Sequence, residues 1–173
     1  VVVDNRGCLP EFLEHFHKLF AKHQNCLRGR WEAFWATEQT SIVELVDSED
    51  VLSKMTYAIA NPCSSHLVDR VHVWPGVESL TAIAKDAPLV ARKPARFFDA
   101  KNGDLPDAVQ LGFRRAPGFE RLSHAEYARL VREQVDQAVA KAACSAAPAA
   151  RGWLQSSVAR LTKAWRHGNS ALN

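Results

Sequence analysis

Tyr57 is the residue whose type and position point most directly to chemistry. The segment 48–61 is predicted to be a helix, and its apolar residues Leu52, Met55 and Ile59 recur at helical spacing to form one stripe. Tyr57 lies nearly opposite that stripe, so its phenol turns away from the predicted core. A phenol in that position is either a nucleophile or a packing residue whose hydroxyl stays wet, and the pattern alone leaves both interpretations open.

Two polar side chains accompany Tyr57 on its side of the predicted helix. Lys54 precedes it by three residues and Asn61 follows it by four, and residues so spaced are neighbours on a helix surface. A phenol beside a cation and an amide suits attack on a phosphodiester. Lys54 would stabilise the phosphate charge or ease loss of the phenolic proton, and Asn61 would ligate a metal ion or position a phosphate.

The chain before this helix is predicted to supply a strand, a helix and a strand pair. Three valines and an aspartate at 1–4 are typical of the end of a buried strand, and apolar residues at helical spacing predict an amphipathic helix over 10–25. Aromatic and β-branched residues in 31–35 and 42–46 predict two strands, in which Trp31 is expected to be a packing residue.

The rest of the pattern is mainly helical. Pro62 is expected to end the helix that carries the tyrosine. Ser123 and Glu126 fit a capping box that opens a later helix, and further helices are predicted over 64–71 and 153–166. A strand, a helix, a strand pair and a helix in this order indicate an α+β layer with helices on an antiparallel sheet.

Charge divides the chain into an acidic part and a basic part. Residues 1–91 carry 8 Lys and Arg against 12 Asp and Glu, whereas residues 92–173 carry 14 against 7. A basic segment of this kind is typical of nucleic-acid contact, but Arg-rich helices with a solvated surface would give the same count, so charge leaves both interpretations open. The cations that we assign to DNA binding are Arg28, Arg30, Lys54, Arg92, Lys93, Arg96, Arg114 and Arg115.

Composition excludes several classes of protein. The four cysteines, Cys8, Cys26, Cys63 and Cys144, lie far apart and form no Cys-x-x-Cys, which indicates neither a zinc site nor a disulfide framework, and a reduced cytoplasmic setting is expected. The sequence has no apolar run as long as a membrane span, so no membrane partner is expected. The opening Val1–Asp4 is neither a translation start nor a signal peptide, and we expect the N-terminus to be cut inside a domain.

An ordered set of short motifs surrounds the tyrosine. The string Tyr57-Ala58-Ile59-Ala60-Asn61-Pro62 is followed by Leu67-Val68 and then by Trp74-Pro75-Gly76-Val77-Glu78-Ser79. The Phe-rich stretch Phe12–His17 stands upstream. This set resembles the single-tyrosine HUH transposases, above all the REP-associated tyrosine transposases and their insertion-sequence relatives. The resemblance covers most of residues 1–80 well and the remainder loosely.

The resemblance implies a fold and an activity. Residues 1–80 would be the remainder of a ferredoxin-like HUH domain, incomplete at its N-terminus, and residues 81–173 would be a basic, mostly helical extension. Tyr57 would attack a phosphate of single-stranded or hairpin DNA, forming a 5′-phosphotyrosine link and a free 3′-OH before the strands rejoin. The family also implies Mg²⁺ or Mn²⁺ at the scissile phosphate, Asn61 in the position of a third polar ligand, and a homodimer.

A His-hydrophobic-His pair holds that ion in the family, and its place lies directly upstream of Val1, so this sequence lacks it. His15 and His17 spell the same pattern around Phe16, but residues two apart on a helix point about 200° away from each other and cannot share one ion. The metal site is therefore incomplete, and two alternatives stay open. The chain would be a non-catalytic DNA-binding remnant or regulator derived from a transposase, or a protein-interaction module.

Overall fold

The computed structural model describes residues 1–36, 41–93 and 106–145, together with Ser156, Val158, Ala159 and Lys163. Apart from those four residues, the predicted helix over 153–166 lies outside the described part, and so does Arg96. The chain divides into two compact units, Val1–Glu44 with Val90–Val109 and Leu45–Leu89 with Gln110–Asn173. The domain boundary at residue 80 stays a prediction.

Helices make up most of the regular structure in the described residues. The elements are α1 (Leu9–Arg28), α2 (Ser48–Ser64), a 3₁₀ turn (Val71–Val73), α3 (Leu80–Lys85), β1 (Leu89–Arg92), β2 (Ala108–Leu111) and α4 (His124–Ser145). The strands β1 and β2 form a small antiparallel sheet, so the described fold mixes helix and sheet and is compatible with the α+β class. Among the described helices, none is both long enough and apolar enough to cross a membrane.

The chain turns into α1 instead of forming the strand predicted for residues 1–4, so that prediction is wrong. The first three valines remain between 55% and 63% exposed. The Asp4 carboxylate accepts hydrogen bonds from the N–H groups of Arg6, Cys8 and Leu9 at 3.1, 3.1 and 2.9 Å. These bonds, first of all the one from Leu9, lower the pKa of Asp4, so the charged side chain draws the backbone into the turn that begins α1.

The helix predicted over 10–25 is confirmed as α1 and runs three residues further than expected. Gly29 ends it with a left-handed φ of 61°, and the N–H of Arg30 then donates to the carbonyl of Asn25 at 2.9 Å. Both His15 and His17 lie on this helix, as the sequence predicts.

The predicted strand pair is wrong, because residues 31–36 and 41–46 have no strand structure. In the first segment Trp35 packs on α1. The centroid of its ring lies 5.6 Å from that of Phe20, and its Nε1 donates to the carbonyl of His17 at 3.0 Å. Contacts with a helix face therefore hold this aromatic segment in place. The ladder of backbone hydrogen bonds that its composition suggests does not do so.

The helix that carries Tyr57 begins as predicted but ends later. Pro62 lies inside α2, two residues before its end at Ser64, and the carbonyl of Pro62 accepts the N–H of Leu67 at 2.9 Å. A proline this close to the end removes only one bond of the last turn. The chain then bends at His66, whose φ is 55°, so the helix predicted over 64–71 is also wrong.

The core of the second unit lies between α2 and α4. Its largest fully buried side chains are Tyr127, Val131 and Val135 of α4. The buried face of α2 is wider than the predicted stripe, and it consists of Val51, Thr56, Ile59, Ala60 and Cys63. The predicted stripe members Leu52 and Met55 are half-buried at the margin of this core. The pair of helices therefore fixes which face of α2 remains in solvent.

The capping box at the start of α4 is confirmed. The N–H of Ser123 donates to Oε2 of Glu126 at 2.8 Å, and the N–H of Glu126 donates to Oγ of Ser123 at 3.3 Å. The two residues thereby satisfy one another's free donors at the helix end. These two residues therefore fix the start of the 22-residue helix where the sequence predicts it.

Candidate nucleic-acid interface

Tyr57 projects from the solvent face of α2. Its side chain is 65% exposed, whereas Thr56 before it is 7% exposed and Ile59 after it is 8% exposed. The sharp change in exposure between neighbouring positions reflects the helical period, which turns Tyr57 away from the face that packs on α4. The prediction of a phenol facing water from a helix is confirmed. Its role as a nucleophile stays a prediction.

Lys54 and Asn61 are also exposed, and their spacing from Tyr57 places all three on one face of α2. The side chain of Asn61 is engaged locally, because its Oδ1 accepts a hydrogen bond from Oγ of Ser65 at 3.5 Å. The cation and the phenol are thus neighbours on a solvated surface, as the sequence predicts. The structure brings them together through one turn of a single helix.

The residues present do not fit the Mg²⁺ or Mn²⁺ that the resemblance implies. Asn61 offers one amide oxygen, and hard divalent ions require about six oxygen or nitrogen donors. Within the described ranges, no three His, Cys, Asp or Glu side chains gather closely enough to hold an ion. His17 is engaged elsewhere, because its ring centroid lies 4.7 Å from that of Trp35. We therefore derive no step through a metal ion.

The predicted DNA-binding cations are distributed over both units. The first unit carries Arg28, Arg30, Arg92 and Lys93, and the second carries Lys54, Arg114 and Arg115. All of these are exposed except Lys93, which is half-buried. One of the first group is paired, since Nη2 of Arg30 lies 3.1 Å from Oε2 of Glu32. Each unit therefore carries part of the predicted set of DNA-binding cations.

The packing role predicted for Trp31 is wrong. Its side chain is 96% exposed, and it follows Arg30 directly in the chain. Exposed aromatic rings and cations are the groups with which single-strand binding proteins stack bases and contact phosphates. The structure thereby adds an aromatic candidate to the first unit.

Arg114 and Arg115 line a cavity of about 560 Å³ in the second unit. The charged and titratable groups of this cavity also include Asp86, Glu120 and His124. The sequence does not single out these three residues, because they come from different parts of the chain and no spacing pattern connects them. The only local signal was the position of His124 directly after the capping serine.

The acidic groups of the cavity are held by near neighbours. Oε1 of Glu120 accepts the N–H of Gly118 at 3.0 Å. The pKa of Glu120 is lowered by the backbone N–H groups of Glu120 and Gly118 and also by the charge of Arg115. Oδ1 of Asp86 lies 3.5 Å from Nδ1 of His124. Each carboxylate thus already has a polar group of the protein beside it.

Comparisons with known proteins give no relative to set beside these surfaces. No protein-family model matches the chain, and neither the curated proteins nor the solved structures contain a match to it.

Proposed function

We propose that this chain is a DNA-binding part of a single-tyrosine HUH transposase, in which Tyr57 is the nucleophile that attacks single-stranded DNA. The observation that carries this proposal is the 65% exposure of Tyr57 on the solvent face of α2, beside Lys54 and Asn61. The motif order around Tyr57 supports the choice of family. Such a protein would act in the cytoplasm, as a monomer or as the homodimer that the resemblance implies.

The proposed fold is the ferredoxin-like HUH domain. Two amphipathic helices support it, because α1 and α2 occur in the order that the resemblance implies. The strands expected between them are not formed in residues 31–36 and 41–46, so the helices alone carry this part of the proposal.

The chemical step needs one bond to form and one to break. The phenol oxygen of Tyr57 bonds to phosphorus while the bond from phosphorus to the 3′ oxygen breaks. The phenolic proton passes to water and the leaving oxygen takes up a proton, which yields a 5′-phosphotyrosine and a free 3′-OH. Lys54 contributes by its positive charge, which favours both the approach of the phosphate and the phenolate form of its neighbour.

The role of Tyr57 can be tested without a metal ion if the DNA substrate carries a leaving group that departs unaided. We would use a pool of hairpin-bearing oligonucleotides, each with one 3′-bridging sulfur in its single-stranded tail. A thiol has a pKa of about 8.5, so it departs as thiolate without a metal ion. The expected result is a covalent protein–DNA adduct on a denaturing gel, with the added mass on the peptide that contains Tyr57.

The chain provides its own matched control, since it contains two tyrosines. Tyr57→Phe should abolish the adduct, whereas Tyr127→Phe should keep it, because Tyr127 is 2% exposed and cannot reach DNA. An adduct of equal yield from Tyr57→Phe would remove Tyr57 from the role.

A second candidate is a non-catalytic DNA-binding protein of the same descent. The exposed cations of both units support this candidate as they support the first, because contact with phosphates requires no metal ion. DNA binding without any adduct, even from the sulfur-containing pool, would identify this second candidate. Absence of binding to single-stranded DNA at low salt would overturn both, because neutralising phosphates is a sequence-independent source of affinity.

A further inference from the structure

We propose that the cavity lined by Arg114, Arg115 and His124 binds the phosphate group of a ligand. We name it the Arg114 cavity. It does not rest on the function proposed for Tyr57, which is not among its lining residues.

The shape of the Arg114 cavity suits a phosphate that is attached to a larger group. Its volume is about 560 Å³, which exceeds what one inorganic phosphate fills and lies in the range of ordinary small-molecule sites. The walls contain apolar residues and an aromatic ring, namely Ala82, Ile83, Pro88 and Phe113, and the cations join them. The wall is therefore mixed, with charged groups beside apolar residues that would contact the rest of the ligand.

His124 contributes the observation that calls for a ligand. Its Nδ1 lies 3.5 Å from Oδ1 of Asp86, which orients the ring. Its Nε2 is buried and has no hydrogen-bond partner among the described residues, although the side chain as a whole is 35% exposed. A buried polar nitrogen without a partner is unfavourable. A phosphate oxygen would satisfy it when both ring nitrogens carry protons, and a hydroxyl of the ligand would satisfy it when only Nδ1 does.

The formal charges of the cavity lining balance, two arginines against two carboxylates, so its preference for an anion depends on the local partners of the carboxylates. Asp86 and Glu120 also line it, but each has a polar protein group beside it, as described above. Among the ion pairs found in the described part of the chain, none involves Arg114 or Arg115. Arg114 and Arg115 are therefore the charged residues of the lining that remain to bind an anion, together with His124.

A phosphate fits these three side chains better than a carboxylate does. A guanidinium donates two parallel N–H bonds to one pair of oxygens, and the remaining phosphate oxygens are still available to a second arginine and to an imidazole. The same chemistry would accept a phosphate of a nucleic-acid strand or one of a free phosphorylated molecule.

The test titrates the purified chain with inorganic pyrophosphate and follows backbone and imidazole NMR signals. We expect saturable shifts at His124 and in residues 112–120. Arg114→Gln with Arg115→Gln should weaken binding by about tenfold or more, because the variant loses the charge-assisted hydrogen bonds of two arginines. The matched control is Arg129→Gln with Arg132→Gln, which removes the same charge from exposed positions on α4 outside the cavity.

Two further measurements complete the test. Arg114→Lys keeps the positive charge but loses the two parallel N–H donors of the guanidinium, so it should weaken binding by a smaller factor. This single variant also serves as the test if the double variant does not fold. A 5′-phosphorylated dinucleotide that binds more tightly than pyrophosphate would identify a nucleic-acid phosphate, and equal affinity would identify a free phosphate. The proposal is overturned if pyrophosphate does not bind at millimolar concentration, or if both double variants weaken it equally.

Discussion

The hydroxyl of Tyr127 accepts a hydrogen bond from the N–H of Ala116 at 3.2 Å, inside a core that leaves 2% of Tyr127 and 4% of Ala116 exposed. The same hydroxyl lies 3.7 Å from the sulfur of Met55 on α2. Burial raises the pKa of this phenol, so it remains a neutral donor and acceptor within the core. One side chain thus connects α4, the segment before it and α2.

Tyr127→Phe is predicted to destabilise the protein, whereas Tyr57→Phe is not. Removal of the Tyr127 hydroxyl leaves the buried N–H of Ala116 without its partner, which costs about 1–3 kcal/mol. Tyr57 is exposed, and substitutions at such positions usually stay within about 0.5 kcal/mol. Urea denaturation of the two variants measures both values. Equal stability of the two would show that the bond to Ala116 contributes nothing.

The capping box of α4 is predicted to contribute stability that depends on pH. The hydroxyl of Ser123, followed by its backbone N–H, lowers the pKa of Glu126 by hydrogen bonding to the carboxylate. Because the pKa is lowered in the folded state, the stabilising contribution of Glu126 is complete at pH values above its pKa in the unfolded chain, about 4.3. That contribution is lost as pH falls through the pKa of Glu126 in the folded protein.

Two variants test this capping box. Ser123→Ala should cost about 1 kcal/mol at neutral pH, as expected for loss of a helix cap. Glu126→Gln should flatten the decline of stability between pH 5 and pH 3 in thermal unfolding followed by circular dichroism. Glu133→Gln is the control, because that carboxylate is exposed on α4 and lies 3.8 Å from the side chain of Arg129. If the stability of Glu126→Gln declines between pH 5 and pH 3 as steeply as that of the unmodified protein, the prediction is wrong.

Much of the helical structure could be predicted because its signals are local. The acidic start of α2, the pair Ser123 and Glu126 before α4, and the apolar period of α1 each act within a few residues, and all three helices are present. The exposure of Tyr57 follows from the same period. These features depend on neighbours along the chain, which the sequence shows directly.

The strands and the Arg114 cavity depend on distant contacts that no local pattern encodes. Trp35 is drawn to α1 by the carbonyl of His17, 18 residues earlier, and this contact replaces the strand that the aromatic composition suggests. Asp86 and His124 meet across 38 residues and two elements. The sequence identifies Arg115 as a cation but not the imidazole and carboxylate beside it.

Asp4 is predicted to hold the first turn of α1 in an acid-sensitive manner. Its carboxylate accepts the N–H groups of Cys8 and Leu9, and the bond from Leu9 is the first cause of its lowered pKa. The contribution is therefore present at neutral pH and is lost as pH falls through the folded pKa. Asp4→Asn should accelerate amide hydrogen exchange at Leu9 without changing exchange at Val131 in the core. Equal exchange rates at Leu9 in both proteins would contradict the capping role.

The four cysteines are predicted to divide into three reactive thiols and one protected thiol. Cys8, Cys26 and Cys144 are exposed, whereas Cys63 lies on the buried face of α2. Burial, followed by the negative charge of Asp69, raises the pKa of Cys63, so little of it is thiolate near neutral pH. A chromogenic disulfide reagent at pH 8 should modify three thiols per chain rapidly and the fourth only after urea is added. Cys63→Ala should leave the fast phase at three thiols and remove the slow one, and a fast phase of four thiols in the unmodified protein would show that the α2–α4 core opens readily.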